Sequence, residues 1–272
     1  MEINLRYSEG GSVDHMKKDE LKVKLSACII AFNEEERIRE CLESVSWVDE
    51  IVVVDSYSTD KTVEICKEFT NKVFLNKWPG YVEQKNYALE MASNNWVLCL
   101  DSDERVSAEM AQEIYRELSS DIIECNGFIF RRHSYYLGRL INHGGWYPDC
   151  KLRLFRKDKG GWVGVNPHDK VEVVGPTKYI KEDIIHYPYR SIADQLRTID
   201  SFSSLYADEM IKKGKKFNIL NLFIRPPTRF FETYFWKLGF LDGLPGLINI
   251  FIASFYVFLK YLKWYERKKQ EC

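Results

Sequence analysis

The sequence lacks both common glycine-rich nucleotide loops, since neither G-x-G-x-x-G nor G-x-x-x-x-G-K-[ST] occurs in it. This absence argues against a dinucleotide-dependent oxidoreductase and against a P-loop ATPase. None of the seven cysteines belongs to a C-x-x-C pair, so we expect free thiols in a reducing cytosol and no zinc site. The formal net charge is only −1, so nothing global points to a nucleic-acid partner.

The beginning of the chain is polar and shows no charged-then-apolar signal pattern. Residues 1–22 are expected to be a flexible leader, or a remnant of expression with the natural start at Met16. We predict one catalytic domain over residues 23–214 and a helical extension over residues 215–272.

Strands alternate with helices in the first part of the chain. Short apolar runs predict strands at "VKLSACIIAF", "DEIVVVDS", "KVFLN" and "WVLCLD". Amphipathic segments predict helices at "NEEERIRECLESV", "STDKTVEICKEF", "YVEQKNYALEMA" and "SAEMAQEIYREL", the second and fourth of which open with residues that cap helices. Such alternation is typical of an α/β domain whose parallel sheet is covered on both faces.

After residue 120 the pattern changes, because short strands broken by glycine and charge replace the long helical crossovers. We expect these strands to extend the sheet in mixed or antiparallel fashion, and a helix closed by Gly214 to follow. The predicted fold class is therefore α/β, with a mixed sheet flanked by helices.

From Phe217 onward the chain is dense in Phe, Tyr, Trp, Leu and Ile. The apolar stretch Gly243–Leu259 is interrupted by Pro245 and Asn249, and it is shorter than the roughly 20 residues of a membrane span. We favour a helical hairpin that lies in the membrane interface with basic residues at its edges. The alternative is a helical subdomain packed on the core or within a homo-oligomer.

Three acids lie at the C-terminal end of a predicted core strand in "WVLCLDSDE". Asp101, Asp103 and Glu104 would repel one another, and a divalent cation would offset that cost. Oxygen ligands suit Mg²⁺ or Mn²⁺ bridged to a diphosphate. The alternative is that these acids only cap the next helix, a job that Ser107 could share; Glu104 in particular is expected to help start that helix.

A second polar cluster follows the strand that ends at Asp55. Asp55 is placed to hydrogen-bond a ribose or a base, although the "SYSTDKT" turn also fits a plain helix cap. Lys85 in "EQKNYAL" is a candidate to neutralise phosphate in a site without a glycine-rich loop. Arg153 and Arg156 alternate with apolar residues, so one face of their strand is basic; it faces solvent or an anionic ligand.

The segments "SACIIAFNEEERIRECLESV", "EIVVVDSYSTDKT", "YVEQKNYAL" and "WVLCLDSDE", in that order and spacing, resemble the family-two glycosyltransferases of the GT-A fold. The resemblance is strong over residues 24–110. Later segments, including "WYPDCKLRLFRKD" and "RPPTRFFETYFWKLGFLDGLPGL", resemble a bacterial subgroup that contains lipopolysaccharide core glycosyltransferases.

The resemblance implies a Rossmann-like GT-A sheet and an inverting transfer of a glucose-like sugar from a nucleotide diphosphate sugar, UDP-linked by expectation. It assigns Asp103 to the metal and the following residues to the nucleotide sugar: Ala31, Phe32, Asn33, Glu34, Asp55, Lys85 and Asp101.

Inversion by single displacement needs a general base for the acceptor hydroxyl. The subgroup carries His-Glu where this chain has His168-Asp169, and we choose Asp169 as the base. Asp149 in "WYPD" is the second candidate, and a turn is its alternative role. His186 could touch the metal or the diphosphate, whereas His168 and His186 also fit packing roles.

The expected acceptor is a lipid-linked glycan such as lipopolysaccharide core, reached from the inner face of the cytoplasmic membrane by peripheral contact. One alternative is a polyprenyl-phosphate glycosyltransferase. A nucleotidyltransferase would need a glycine-rich basic loop after the first strand, and a non-catalytic membrane assembly protein would not need the acids.

Overall fold

The computed structural model describes residues 23–165 and 168–270, and the predicted leader lies outside them. The helices are α1 Ile38–Ser44, α2 Thr62–Phe69, α3 Tyr81–Met91, α4 Ala108–Leu118, α5 Ile192–Lys212, α6 Leu220–Phe231 and α7 Gly243–Gln270. The strands are β1 Leu25–Ala31, β2 Glu50–Asp55, β3 Val73–Leu75, β4 Trp96–Asp101, β5 Glu104–Arg105, β6 Gly127–Tyr136, β7 Arg139–Leu140, β8 Asp149–Arg156, β9 Gly160–Val165, β10 His168–Val173, β11 Thr177–Tyr179 and β12 Ile184–His186.

The main sheet has the strand order β3-β2-β1-β4-β8-β6-β12-β5. Neighbours among β1 to β4 run parallel, and β8 then joins β4 in antiparallel fashion. Strands β9 and β10 form a separate antiparallel pair. The mixed α/β sheet with flanking helices that the sequence predicts is confirmed.

Alternate residues of the central strands enter two apolar layers, one on each face of the sheet. Ala27 and Ile29 of β1 belong to a layer that includes buried residues of α1 and α4. Cys28 of the same strand belongs to the other layer, with Ala88 of α3 and Trp162 of β9. Burial on both faces explains why these strands read as continuous apolar runs.

The chain divides into two compact units. The first comprises residues 1–132 and 150–186, and the second comprises residues 133–149 and 187–272. The predicted boundary after Gly214 falls within the second unit, where α5 and α6 both pack against α7. The division into a leader, a catalytic domain and an extension stays a prediction.

Within the second unit, α5 begins at Ser191, whose side chain accepts a hydrogen bond from the Asp194 amide. It ends just before Gly214, which has a φ of 59°, a conformation that glycine adopts without strain. A π-helical turn at Glu232–Trp236 and a 3-10 turn at Gly239–Asp242 connect α6 to α7.

One helical stretch among the described residues could cross a membrane by length and composition. It is Gly239–Gln270, with a mean hydropathy of 1.5 over its most apolar window, of which 28% is buried. A single stretch of this kind is weak evidence for a membrane span.

Candidate active site

The parallel register brings the polar ends of three strands to one edge of the sheet. Ala31 of β1 pairs with Asp55 of β2, and Ile30 pairs with Asp101 of β4. Ligands of open α/β sheets bind outside the carboxyl ends of such strands. This edge of the sheet is therefore where a ligand is expected to bind.

The loops that follow β1 and β2 are hydrogen-bonded to each other. The Asn33 amide donates to Ser58 Oγ at 2.8 Å, and the Thr59 amide donates to Asn33 Oδ1 at 2.8 Å. The Ser58 amide and hydroxyl both donate to the Asp55 carboxylate, which is completely buried. Asp55 thus holds the loop in shape, and its predicted contact with a nucleoside stays a prediction.

The other residues predicted near the nucleotide differ in their exposure. The Ala31 side chain lies in the core, so only its backbone is available to a ligand. Phe32 and Tyr57 are 55% and 57% exposed, and Tyr57 has a φ of 64°, which is uncommon for an aromatic residue. The Glu34 amide donates to Thr62 Oγ1 at 2.7 Å. Two exposed aromatic rings therefore follow neighbouring strands, and Tyr57 is absent from the predicted set.

Lys85 connects two acids that are far apart in the sequence. Its Nζ lies 2.9 Å from Asp101 Oδ1 and 2.8 Å from Asp169 Oδ2. Lys85 is buried, and its ammonium lies 4.2 Å from the centre of the Trp162 ring. A buried ammonium with two carboxylates and an aromatic face is well compensated for the loss of water.

The side chain of Asn86 explains how Asp169 reaches Lys85. Asn86 Nδ2 donates to the Trp162 carbonyl at 2.9 Å, and the Trp162 amide donates back to Asn86 Oδ1 at 3.0 Å. This pair of hydrogen bonds ties α3 to β9. Strand β10 pairs with β9, with Asp169 opposite Gly164, so Asp169 is delivered beside the lysine that precedes Asn86.

Arg153 is the second buried cation of the site. Its Nη2 donates to Asp101 Oδ2 at 2.7 Å and to Glu104 Oε1 at 2.6 Å. The side chain is only 4% exposed, so the prediction of a solvated basic face is wrong for Arg153. It holds for Arg156, which pairs with Asp158 at the surface.

Glu104 does not start the next helix, and that prediction is wrong. It lies in β5, fully buried, with Oε2 accepting from the Asp101 amide at 3.1 Å. Arg132 Nη1 lies 3.4 Å from its Oε1. The N-cap of α4 is Ser107, whose side chain accepts from the Met110 amide. Glu104 is a buried counterion because two arginines and an amide surround it.

Asp103 differs from the other acids in having an unused oxygen. His186 Nε2 lies 3.4 Å from Asp103 Oδ2, whereas Asp103 Oδ1 is buried and has no hydrogen-bond partner within the described residues. No group of three or more His, Cys, Asp or Glu side chains arranged to hold a metal occurs in the part of the chain that the structure describes. A cation at Asp103 would depend on other ligands, as Mg²⁺ does when it binds one carboxylate, phosphates and water.

The neighbouring charges favour the ionised forms of Asp101 and Asp103. Burial raises the pKa of Asp101, but Arg153 and Lys85 outweigh it and hold that pKa well below its ordinary value. Burial also raises the pKa of Asp103, and His186 outweighs it, so the net shift is downward. Burial lowers the pKa of Lys85, but Asp101 and Asp169 raise it above the ordinary value. At neutral pH Asp101, Asp103 and Lys85 are therefore charged.

Two further predicted residues, Asp149 and His168, each stand at the start of a strand. Asp149 begins β8 and belongs to the second unit. The side chain of His168 lies outside the described residues, although its backbone begins β10.

Sequence reasoning missed Trp162 and misjudged Arg153 and Glu104. The guanidinium of Arg153 lies 5.4 Å from the centre of the Trp162 ring, which also faces Lys85. One signal was present in the sequence: Arg153 stands between Leu152 and Leu154 in a strand, where a charge needs a partner if both faces are buried.

Taken together, this edge of the sheet brings Asp101, Glu104 and Asp169 into ion pairs with two buried cations, Lys85 and Arg153. The sequence profile described as glycosyl transferase family 2 matches residues 26–171. The chain is 30% identical over 253 residues to the lipopolysaccharide core biosynthesis glycosyltransferase LpsC of Rhizobium meliloti, with 90% of this chain and 93% of that protein covered. The chain therefore belongs to glycosyl transferase family 2, and it is a glycosyltransferase.

A further relative by sequence and one solved structure are also similar to the chain. An uncharacterized glycosyltransferase of Rickettsia felis is 32% identical, with 88% of this chain and 89% of that protein covered. A solved structure of glucosyl-3-phosphoglycerate synthase from Mycobacterium tuberculosis, in complex with Mn²⁺ and UDP-glucose, matches 47% of this chain and 50% of its own at 21% identity and a TM-score of 0.37. The predicted family and the predicted GT-A fold are confirmed, and the family assignment depends on the sequence matches.

Proposed function

We propose that this glycosyltransferase inverts the anomeric carbon of a glucose-like sugar, which it takes from a UDP-linked donor. The observation that carries the proposal is the bridge from Lys85 to both Asp101 and Asp169. It joins Asp101, the last residue of β4, to the predicted base through one lysine side chain. A donor diphosphate and an acceptor hydroxyl bound at this edge would meet both groups.

Asp103 is the residue that would hold Mg²⁺ or Mn²⁺, with His186 beside it. The support is its buried Oδ1, which has no hydrogen-bond partner among the residues that the structure describes, since such an oxygen is costly unless a ligand uses it. When bound, the ion would supply positive charge to the leaving diphosphate.

Asp169 is the proposed general base. The acceptor hydroxyl oxygen forms a bond to the anomeric carbon while the bond from that carbon to the diphosphate breaks, and the hydroxyl proton passes to the Asp169 carboxylate. Lys85 Nζ, 2.8 Å from Asp169 Oδ2, holds this carboxylate in position before the acceptor arrives. In the same site Lys85 and Arg153 offset negative charge on the diphosphate, and Phe32, Asn33, Glu34 and Asp55 would line the nucleoside.

We infer a lipopolysaccharide core acceptor from the name of the Rhizobium meliloti relative and from the exposed apolar side chains near the end of the chain. Phe223, Trp236, Leu244 and Phe251 are all exposed. Such residues support peripheral contact with the inner face of the cytoplasmic membrane by a cytoplasmic enzyme.

The test is release of UDP from a panel of UDP-sugars by the full chain, with Mg²⁺, Mn²⁺ or EDTA and with lipopolysaccharide core as acceptor. Asp169→Asn should lower kcat at least about 100-fold, the usual size of a general-base contribution. Asp158→Asn is a matched control, since Asp158 is an exposed acid that pairs with Arg156. A retained anomeric configuration, or full activity of Asp169→Asn, would overturn the proposal.

The second candidate function is transfer to a polyprenyl phosphate. The same exposed apolar residues favour it, because a polyprenyl chain is itself a membrane lipid. A parallel reaction with polyprenyl phosphate in place of lipopolysaccharide core decides between the two acceptors. Turnover with the polyprenyl phosphate alone would replace the first candidate.

A further inference from the structure

We propose that the second unit carries a phosphate-binding rim, formed by Arg139, His143 and Lys237, which takes the headgroup phosphate of an anionic phospholipid in a bilayer. The proposal specifies which residues make the peripheral membrane contact of the proposed function. It rests on the proposed function only for the location of the protein at that membrane. The rim borders an apolar surface, which we call the aromatic face, defined by Phe231, Phe235, Trp236, Phe240, Leu244 and Phe251.

Ring contacts through Phe230 and Tyr234 connect the four phenylalanines of the aromatic face. Phe231 and Phe235 stack with centroids 5.8 Å apart, and Tyr234 joins Phe235 to Phe240 at 5.0 Å and 6.0 Å. Phe230 links Phe231 to Phe251, with 5.8 Å to each. Trp236 is 87% exposed, an unusual state for the largest side chain of a protein in water. An exposed apolar surface of this kind marks an interaction site.

A buried carboxylate organises the rim. Asp242 accepts hydrogen bonds from the amides of Asn142 at 3.1 Å and His143 at 2.7 Å, and His143 Nδ1 lies 3.1 Å from Asp242 Oδ1. Arg139 Nη2 lies 3.8 Å from the same oxygen. Asp242 is 1% exposed, whereas Arg139 and His143 reach solvent. The far ring nitrogen of His143, Nε2, is directed away from Asp242.

Lys237 lies against the same loop from the other side. Its carbonyl accepts from the Gly144 amide at 2.9 Å, and a Cβ added to Gly145 would meet the Lys237 side chain at 3.1 Å. Lys237 Nζ pairs with Glu232 at 2.8 Å in an exposed position. Exposed pairs contribute little, so the ammonium can turn to a phosphate. Since Lys237 directly follows Trp236, the rim and the aromatic face meet.

Charge complementarity selects the occupant. Residues 215–270 contain ten Lys and Arg but only three Asp and Glu, although the whole chain has 39 and 40 of these residues. An excess of positive charge beside exposed aromatic side chains suits an anionic bilayer, where apolar side chains enter the acyl boundary and cations meet phosphates. A second copy of this chain would bring the same positive charge to the contact and be repelled.

The test is flotation of the full chain with vesicles of phosphatidylcholine alone or of phosphatidylcholine with phosphatidylglycerol. The test variant is Arg139→Gln with Lys237→Gln, which leaves Asp242 and its hydrogen bonds in place. The control is Arg156→Gln with Lys159→Gln, because these two cations likewise reach solvent and pair with an acid, Asp158. Both variants remove two charges, and thermal melting checks that each is folded.

Each Lys or Arg near an anionic membrane contributes about fivefold to binding, so the test variant should lose about 25-fold on anionic vesicles. The control should lose less than about threefold, and on neutral vesicles all three proteins should bind equally. If the two variants lost binding equally, net charge alone would explain the loss. That result would overturn the proposal. So would equal binding of the wild-type protein to both kinds of vesicle.

Soluble glycerol phosphate separates a headgroup from a free phosphate. At the phosphate concentration of the vesicles, it should not raise the melting temperature of the wild-type protein. A rise that the test variant lacks would mean that the rim binds a free phosphate ligand, and it would overturn the proposal of a bilayer headgroup. UDP release by the wild-type protein with lipopolysaccharide core as acceptor, measured without vesicles, is a separate readout. Its absence would overturn the proposed function and leave the vesicle result standing.

Discussion

Replacing Arg153 by Met would remove the cation that two acids share. Arg153 Nη2 lies 2.7 Å from Asp101 and 2.6 Å from Glu104. Asp101 would keep Lys85 as a charged partner, but Glu104 would keep the Asp101 amide at 3.1 Å and Arg132 at 3.4 Å. Because Glu104 is fully buried, its charge would lose the partner that offsets its removal from water.

The size of the effect follows from these distances. At an effective dielectric constant of about 20, a pair of unit charges near 2.6 Å attract by about 6 kcal/mol before desolvation is subtracted. Breaking one side of a buried ion pair costs about 3–5 kcal/mol. We expect Arg153→Met to lower the free energy of unfolding by this amount, a large share of the roughly 5–15 kcal/mol that stabilises a typical protein.

The assay is urea unfolding of a double-mutant cycle that combines Arg153→Met with Glu104→Gln. The double variant should be no less stable than Arg153→Met alone, since Glu104→Gln removes the unpaired charge and keeps an acceptor for the Asp101 amide. The coupling energy should then reach about 2 kcal/mol or more. Arg156→Met is the control on the same strand, and it should cost less than about 1 kcal/mol because its pair is exposed.

Two results would refute this reasoning. Additive effects of the two substitutions, within about 0.5 kcal/mol, would mean that Arg153 and Glu104 do not act as a pair. A loss for Arg153→Met as small as that for Arg156→Met would mean that Arg153 is solvated, as the alternating sequence pattern predicts.

Three further predictions concern neighbouring groups. In EDTA, Asp101→Asn should lower the melting temperature because Lys85 and Arg153 lose a shared partner, and Asp103→Asn should lower it less because Asp103 pairs only weakly, with His186 at 3.4 Å; equal effects would contradict this difference. The stability gap between wild type and Asp101→Asn should be complete at neutral pH and close as the pH falls below about 4, because a depressed carboxyl pKa stabilises the fold only where the acid is ionised; urea unfolding at several pH values measures it, and a gap that widens in acid would reverse the sign. Ser107→Ala should cost about 1 kcal/mol of unfolding free energy through loss of the α4 N-cap, while Ser107→Asp should not, and an equal loss in both would exclude capping.

The parallel half of the fold was predictable because its signals are local. Each apolar run of β1, β2 and β4 is buried on both faces, so its composition alone identifies it. The order of these strands, with β1 between β2 and β4, follows no local signal. Neither does the separate pair β9 and β10, which the sequence shows only as short strands broken by glycine.

The candidate site was predictable as a list of acids but not as a set of partners. Asp101 and Asp103 are recognisable because acids come at the end of an apolar core strand. Lys85 is recognisable as a cation for phosphate because the sequence lacks a glycine-rich loop. Their contacts with Arg153 and Asp169 join residues separated by 52 and 84 positions. A contact across that distance depends on sheet topology and on the Asn86 hydrogen bonds to Trp162, which no single sequence pattern encodes.

These partners change the physical argument for a metal. The sequence suggests that a divalent cation must offset the repulsion of Asp101, Asp103 and Glu104. In the structure, Arg153 already pairs with Asp101 and Glu104, and Lys85 pairs with Asp101 again. Repulsion among the acids therefore no longer requires a metal. What still calls for a cation is a single atom, Asp103 Oδ1, buried and without a partner among the described residues, so the proposal of Mg²⁺ or Mn²⁺ now depends on that oxygen.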